Sequence, residues 1–355
     1  MGARVVVGMS GGVDSSVAAA LLVEQGFEVI GVTMHLAGSR SRCCSLDDAD
    51  DARRVAETLG IRFYVANYKD RFREEVMEPF ADAYLAGKTP IPCVACNDRF
   101  KFSHLLARAR ALGADAVATG HYARIERDAA SGAPRLLRGT DPRKDQSYFL
   151  FRLTAEQLRR THFPIGALTK PEVRERARAL GLATAEKRES QEICFVPDGD
   201  YARVVEEIRP GAARPGEIVD AASGEVLGTH AGVHHFTVGQ RRGLGSGGAA
   251  ARYVVAIDAA SRRVRVGSEA ALGARGARLG GVCWTSEHAP SGALRAAVQV
   301  RYRHTPVPAT IAASADGSAH VAFDEPVRAV SPGQAAVLYR GDELLGGGWI
   351  EEALQ

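Results

Sequence analysis

The sequence predicts an α/β protein with an N-terminal parallel-sheet domain, a small central domain and a C-terminal β-barrel-like domain. Three observations carry this. A β-branched run, Val5-Val6-Val7, meets a turn rich in Gly and Ser and then the helix-like Val17-Ala18-Ala19-Ala20-Leu21-Leu22. Strand-like and helix-like segments then alternate to about residue 121, the pattern of βαβ units lying in a parallel sheet. Past about residue 205, Gly and Pro become dense and short β-like runs replace helices. The expected domains are residues 1–205, 206–275 and 276–355.

Each element has its own signal. Glu28–Met34 reads as a second strand. Ser45 followed by Leu46-Asp47-Asp48 reads as a cap with acid in the first turn, opening a helix that stops at Gly60. Arg62–Ala66 reads as a strand, and residues 70–86 as a helix ending at Gly87. Ser103-His104-Leu105 reads as the start of a helix that ends at Gly113. Ala116–Thr119 is a strand followed by Gly120-His121. Thr169-Lys170-Pro171-Glu172 is a capping box with Pro at the first helical position, and its helix stops at Gly181. Val254–Ile257 and Val264–Val266 flank Asp258–Ser261 as a hairpin, and Gly243–Gly248 reads as a loop. Val298–Tyr302, Ala309–Ile311, His320–Phe323 and Ala335–Tyr339 recur at strand-and-turn spacing, as in a barrel or sandwich.

The chain has 355 residues, 46% hydrophobic and 25% charged, the make-up of an ordinary globular protein. No apolar run approaches the roughly 20 residues that span a bilayer. The N-terminus enters a strand at once and shows no secretory signal, so a cytoplasmic protein with no membrane partner is expected. A net charge of +3 is too small to argue nucleic-acid binding by itself. Residues 135–188, however, hold 13 Lys and Arg against 6 Asp and Glu, which suits either a phosphate-facing surface or a solvated helical face. The six cysteines, at 43, 44, 93, 96, 194 and 283, are expected as thiols rather than structural disulfides.

A strand, a glycine turn and a helix start make an anion site, because backbone N–H groups and the helix dipole point at one spot. The turn is not a Walker loop, since Gly11 and Gly12 are adjacent and no Lys follows, nor is it a Gly-x-Gly-x-x-Gly turn. Asp14 beside a phosphate site implies an intervening Mg²⁺. Ligands in parallel sheets bind at the carboxyl ends of strands, so this turn, Met34 and Gly120-His121 should share a crevice. Without that rule Met34 would be assigned to the core. Cys93-Val94-Ala95-Cys96 is open between redox pair, half a zinc site and chance; adjacent Cys43 and Cys44 are poorly placed to complete a zinc site, so no metal ligands are assigned. Cys194, between apolar neighbours, reads by itself as a packing thiol.

The Ser-Gly-Gly-x-Asp-Ser string resembles the pyrophosphate (PP) loop of ATP pyrophosphatases, which split ATP into AMP and pyrophosphate. Further strings follow: Thr89–Asn97 with Lys101-Phe102, Thr119–Tyr122, Lys144–Leu150, Ile193-Cys194-Phe195, Gly239–Leu244, Val300–Arg303 and Ser331–Gln334. In this order, over nearly the whole chain, they resemble the tRNA-specific 2-thiouridylases, which use ATP and a persulfide to put sulfur on carbon 2 of a wobble uridine. The resemblance implies that Gly8, Met9, Ser10, Gly11, Gly12, Val13, Asp14, Ser15, Met34 and Gly120 bind ATP with Mg²⁺. It implies Cys96 as catalytic cysteine, Cys194 as persulfide carrier and Asp14 as a catalytic residue. It places His121, Lys144, Asp145, Gln146, Arg301, Tyr302 and Gln334 on tRNA, and Ile91, Pro92 and Cys93 at the target base. The family often has Asn and Asp at the positions of Ile91 and Cys93. The implied partners are tRNA and a persulfide sulfur donor protein, not DNA.

The chemistry is coherent. A uracil oxygen is a very poor leaving group, and AMP attached to it makes a good one. Sulfur arrives as a persulfide on Cys194, and Cys96 closes a disulfide with it by thiol exchange. Lys187 and Arg188 either supply a positive field to Cys194 or are solvated surface charges. Three other readings compete. Cys93, Cys96 and Cys194 would hold an iron–sulfur cluster with an open iron. A small-molecule PP-loop synthetase would need neither distant cysteines nor a β domain. A non-enzymatic RNA-binding module would leave the loop without purpose.

Overall fold

The structure, a computed structural model, describes residues 2–36, 46–189, 193–244, 251–286 and 289–355. The Ser45 cap, Cys43, Cys44 and the stretch 245–248 of the expected glycine loop lie outside the described residues.

Seven strands belong to the N-terminal part: β1 (Arg4–Gly8), β2 (Glu28–His35), β3 (Arg62–Asn67), β4 (Ala116–Thr119), β5 (Ala123–Arg127), β6 (Pro134–Arg138) and β7 (Thr161–His162). Five form a parallel sheet in the order β3-β2-β1-β4-β7. Side chains alternate across it with the period of a strand. Val5 and Val7 face a core shared with Val17 and Leu21 of the helix Val13–Glu24 and with Val173 and Ala177 of the helix Lys170–Ala179. Val6 faces the opposite core, filled by Phe72, Phe80, Phe100, Phe102 and Leu105. The first helix is apolar nearly all round because it is enclosed, with nine of its residues buried.

Two helices differ from expectation. The segment expected at 70–86 is helical as Lys69–Phe72, a π-helical turn Arg73–Met77, and Glu78–Leu85. The helix expected to open at Ser103 starts eleven residues earlier, at Pro92, and runs as Pro92–Ala95, the π-helical Cys96–His104 and Leu105–Ala111. Pro92 is the true start signal. Ser103 lies inside the run, its hydroxyl donating to the Asp98 carbonyl at 2.7 Å.

The central sheet has the order β10-β11-β8-β9, from β8 (Gly216–Asp220), β9 (Val226–His230), β10 (Tyr253–Asp258) and β11 (Arg263–Gly267). β10 and β11 are the hairpin expected there, with Asp258 accepting the N–H of Ala260 and Ser261 in the turn. The last six strands are β12 (Gly273–Trp284), β13 (Ala293–Gln299), β14 (Val307–Ala313), β15 (Ala319–Arg328), β16 (Ala335–Arg340) and β17 (Glu343–Leu354). They run in the order β12-β15-β14-β13-β16-β17, and β12 pairs back on β17, so the unit is a closed barrel rather than a sandwich. The sequence did not announce the hairpin β5–β6. It pairs β6 onto β17 and extends the barrel sheet into the N-terminal part.

Candidate active site

The turn after β1 stands where strand order reverses between β1 and β4, the position at which parallel sheets open a crevice. Met9 is buried; its N–H bonds to the Val32 carbonyl, and its carbonyl accepts the Thr33 hydroxyl at 2.6 Å. Gly11 has φ +68°, and a Cβ there would sit 2.2 Å from the Asp48 carbonyl oxygen, so no other residue fits. Gly12 caps the helix Val13–Glu24 with no side chain over its first turn. Ser15 Oγ accepts the Ser10 N–H and donates to the Gly12 carbonyl, which also takes Ser16 Oγ at 2.9 Å. These bonds shape the turn and leave the helix start open to an anion. Gly120, just past β4, lies directly against it. A Cβ at Gly120 would be 2.6 Å from Asp14 C and Ser15 N. Gly8 to Ser15 and Gly120 are therefore brought together. Met34, near the end of β2, is buried in the core beside Val32 and Leu36.

Asp14 lies in the first turn of the helix and is held by three hydrogen bonds from two side chains. Lys170 Nζ meets both its oxygens at 2.8 Å, and the Tyr122 hydroxyl donates to it at 2.8 Å. Lys170, only 7% exposed, also reaches Glu189 at 2.7 Å, and Glu189 takes Lys144 at 2.5 Å. Burial and then the Asp14 carboxylate push the Tyr122 phenol far above its ordinary range. Burial raises Glu189, but Lys144 and Lys170 outweigh it and hold the carboxyl below its usual value. Lys170, Tyr122 and Glu189 are site residues that sequence reasoning missed. Lys170 was visible only as the residue after the Thr169 cap; it, rather than Pro171, is the first helical residue, and the box forms with Glu172 accepting the Thr169 N–H and hydroxyl.

Cys96 and Cys194 lie on the other face of the sheet, the face of Val6. Cys93 is exposed; Cys96, at the start of the π-helical stretch, and Cys194 are half-buried. Both border the core that contains Phe72, Phe80 and Phe100, and Phe195 packs edge-on against Phe72 and Phe80. Asn97 is buried and donates to the Phe149 carbonyl at 3.1 Å. Ile91, Phe149 and Tyr302 border the same core, the last two with ring centroids 4.5 Å apart. Lys187 supplies no unpaired charge toward Cys194. It is held by Asp48 at 2.7 Å and Asp51 at 2.6 Å, and these bonds raise its pKa against the effect of burial. Arg188 is exposed.

The barrel meets this region with Tyr302 and with the loop that holds Pro332 and Gln334. Gln334 Nε2 donates to the Thr89 carbonyl at 2.9 Å, and the Thr89 N–H donates to the Pro332 carbonyl at 2.8 Å. The loop thus holds the segment that leads to Ile91, Pro92 and Cys93. Arg301 is half-buried and donates to the Arg328 carbonyl at 3.0 Å; burial and then Arg328 lower its pKa.

Three residues expected on RNA face inward. His121 is 5% exposed, packed between Phe102 and Phe163, with Nδ1 2.7 Å from Thr119 Oγ1; burial and then Lys101 hold it well below its ordinary pKa. Asp145, 9% exposed, accepts from Gly139, Ser147 and Arg138. Gln146 Oε1 accepts the Tyr122 N–H at 3.0 Å. In this state His121 and Asp145 offer RNA almost no side-chain surface.

Among the described residues one cluster has metal-ligating types in reach of one another: Glu206, His234 and His235, within 4.8 Å, in and beside the central domain. Both imidazole Nε2 atoms contact the same Glu206 oxygen, at 3.0 and 3.5 Å. No helix among the described residues is long and apolar enough to cross a membrane.

Comparison with known proteins covers this architecture end to end. Residues 3–198 match the model of the tRNA methyl transferase HUP domain, 204–268 that of the tRNA methyl transferase PRC-barrel domain, and 275–350 that of the aminomethyltransferase β-barrel domain. The tRNA-specific 2-thiouridylase MnmA of Geobacter metallireducens is 55% identical over 361 residues, covering 99% of this chain and 97% of its own. That of Rhodospirillum rubrum is 54% identical over 367 residues, covering 99% and 96%. Among solved structures, a 4-thiouridine synthetase–RNA complex with bound ATP matches at 18% identity and a TM-score of 0.39, over 59% of this chain and 51% of that one, a likeness too distant to argue from.

Proposed function

The chain belongs to the tRNA-specific 2-thiouridylase family, and from that premise we propose that it adenylates the carbon-2 oxygen of a tRNA wobble uridine and replaces that oxygen with sulfur carried by Cys194. The observation that carries the reading is the open helix start at Gly12, enclosed by β4 at Gly120, with Cys96 and Cys194 bordering one core across the sheet.

In the first step the uridine oxygen attacks the α-phosphorus of ATP and pyrophosphate departs. Charge grows on the departing group, where the N–H groups of the helix start are already aimed; preorganised dipoles of this kind are the strongest lever on such a step. Mg²⁺ fits the donor chemistry, since one carboxylate from Asp14 with phosphate oxygens is an ordinary set for that ion. It would supply charge neutralisation between the phosphates, in competition with Lys170 for the Asp14 oxygens.

In the second step the terminal sulfur of a Cys194 persulfide bonds carbon 2 and AMP leaves. The Cys96 thiolate then attacks the Cys194 sulfur. The persulfide S–S bond breaks, its electron pair stays on the sulfur now held by the base, and a Cys96–Cys194 disulfide remains. Delivery as hydrosulfide released by Cys96 balances to the same products. The target base must leave the anticodon stack, and Ile91, Phe149 and Tyr302 offer it an apolar and aromatic border. We assign direct phosphate contact to Lys144 and Arg301, and to His121, Asp145 and Gln146 the shaping of the segment behind them. The sulfur enters from a persulfide donor protein.

The test is direct. Protein, ATP, a persulfide donor and unmodified tRNA are incubated, and the nucleosides are analysed by mass spectrometry. 2-Thiouridine that depends on both ATP and Cys194 is expected; pyrophosphate release with no need for tRNA would point to a small-molecule synthetase instead.

A further inference from the structure

Lys170 is in an unfavourable place for a lysine. It opens the helix Lys170–Ala179, where the positive end of the dipole repels a cation and Asp or Glu is favoured. It is also buried, and burying an ammonium costs more than the stem gains unless every donor is matched. All three of its donors are matched here, by Asp14 Oδ1, Asp14 Oδ2 and Glu189 Oε1 at 2.8, 2.8 and 2.7 Å. Only replacement of the whole cluster, Lys170 with both carboxylates, by apolar side chains would fill the space more cheaply. Lys170 and Lys144 thus stand beside the PP loop, balanced in this state by Asp14 and Glu189, while the start of the Lys170 helix is already met by buried Asp141, which accepts the Lys170 N–H at 3.1 Å.

From this geometry we infer that Lys170 is the pyrophosphate-binding lysine of the reaction: its Nζ leaves Asp14 for the β- and γ-phosphate oxygens of ATP and neutralises the leaving pyrophosphate. A Walker loop carries its lysine within the loop. Here the loop has none, and the equivalent charge comes from a helix 156 residues away in sequence. The swap conserves hydrogen bonds, since the two donors on Asp14 exchange carboxylate for phosphate oxygens while the third stays on Glu189, and it leaves Asp14 open to a cation. This inference rests on the adenylation proposed above and adds a residue to it.

Two measurements test it. In a crystal structure of the unaltered protein with inorganic pyrophosphate, Lys170 Nζ should lie at hydrogen-bond distance, about 3 Å, from a pyrophosphate oxygen. Pyrophosphate seated elsewhere, absent, or present with Lys170 still on Asp14 overturns the inference. In solution, inhibition by pyrophosphate should weaken at least 30-fold in the balanced variant Lys170→Met/Glu189→Gln, while adenosine binding changes less than twofold. Lys170→Arg should keep most of the inhibition. Equal inhibition of the double variant and the parent also overturns it. If Lys170 meets pyrophosphate but no 2-thiouridine forms, the thiolation reading falls and this assignment stands; the converse result separates them the other way.

Discussion

Replacing Asp14 by Asn tests the network around Lys170 most directly. The change is nearly isosteric, and the motif alone predicts loss of adenylation with an intact fold. The structure predicts a stability cost as well. The Asn oxygen still accepts the Tyr122 hydroxyl, but its NH₂ group turns a donor toward the Lys170 ammonium. Breaking a buried ion pair costs about 3–5 kcal/mol and an exposed one about 0–1. The Asp14 side chain is 30% exposed, Lys170 9%, and Lys170 retains Glu189. The cost therefore falls between these limits, about 1–3 kcal/mol, which for a domain of this size lowers Tm by roughly 3–10 °C. Lys170→Met should itself destabilise, and the double variant should be less destabilised than the two singles added together, by about 1–3 kcal/mol of coupling. Calorimetry on the four proteins gives the cycle. If Asp14→Asn melts with the parent and the coupling is below about 0.5 kcal/mol, the ion pair does not hold the loop to the Lys170 helix and the reasoning fails.

Three further outcomes are expected. Glu189 has its carboxyl held below its ordinary range by Lys144 and Lys170, against the effect of burial; it contributes stability above its unfolded pKa that is lost as pH falls through its lower folded pKa, so acid-melting curves of Glu189→Gln should lack that part of the slope. Gln334→Ala removes one hydrogen bond to Thr89, worth about 1 kcal/mol; tRNA thiolation should fall with ATP affinity unchanged, and a fall in ATP affinity would show that the barrel loop acts on the nucleotide site instead. Cys96→Ser should accumulate persulfide on Cys194, Cys194→Ser should lose thiolation, and exposed Cys93→Ser should keep most of it; an inactive Cys93→Ser with iron in the parent protein would restore the three-cysteine cluster.

The parts of this molecule that local chemistry dictates were legible. Val5–Val7, the glycines at 11 and 12, the Thr169 capping box and the Asp258 turn each follow from residues within a few positions of one another. The helix start at Pro92 was hidden because the following π-helical stretch breaks the 3.6-residue pattern, and Ser103 offered a plausible false cap. Lys170 and Glu189 were illegible for another reason. Their partners lie 156 and 45 residues away, and no spacing rule reports a contact that only the tertiary fold makes. The inward turn of His121 and Asp145 is the same lesson in reverse: a motif marks a position as constrained without saying whether surface or scaffold constrains it.

The hairpin β5–β6 has a consequence for how this chain is made. Its strand β6 leaves the ribosome long before its second mate, β17: the Glu343 carboxylate that takes Arg135 is synthesised 208 residues later. At roughly 5–20 residues per second, that strand waits about 10–40 s with its edge open. Arg135 and Arg138 on β6 place charges along the waiting edge, the usual guard against pairing with a stranger. The barrel has the mirror problem. Expressed without residues 123–138 it would present β17 uncovered at Glu343 and Leu344, so a soluble excised barrel needs that hairpin carried along or a charge placed at Leu344.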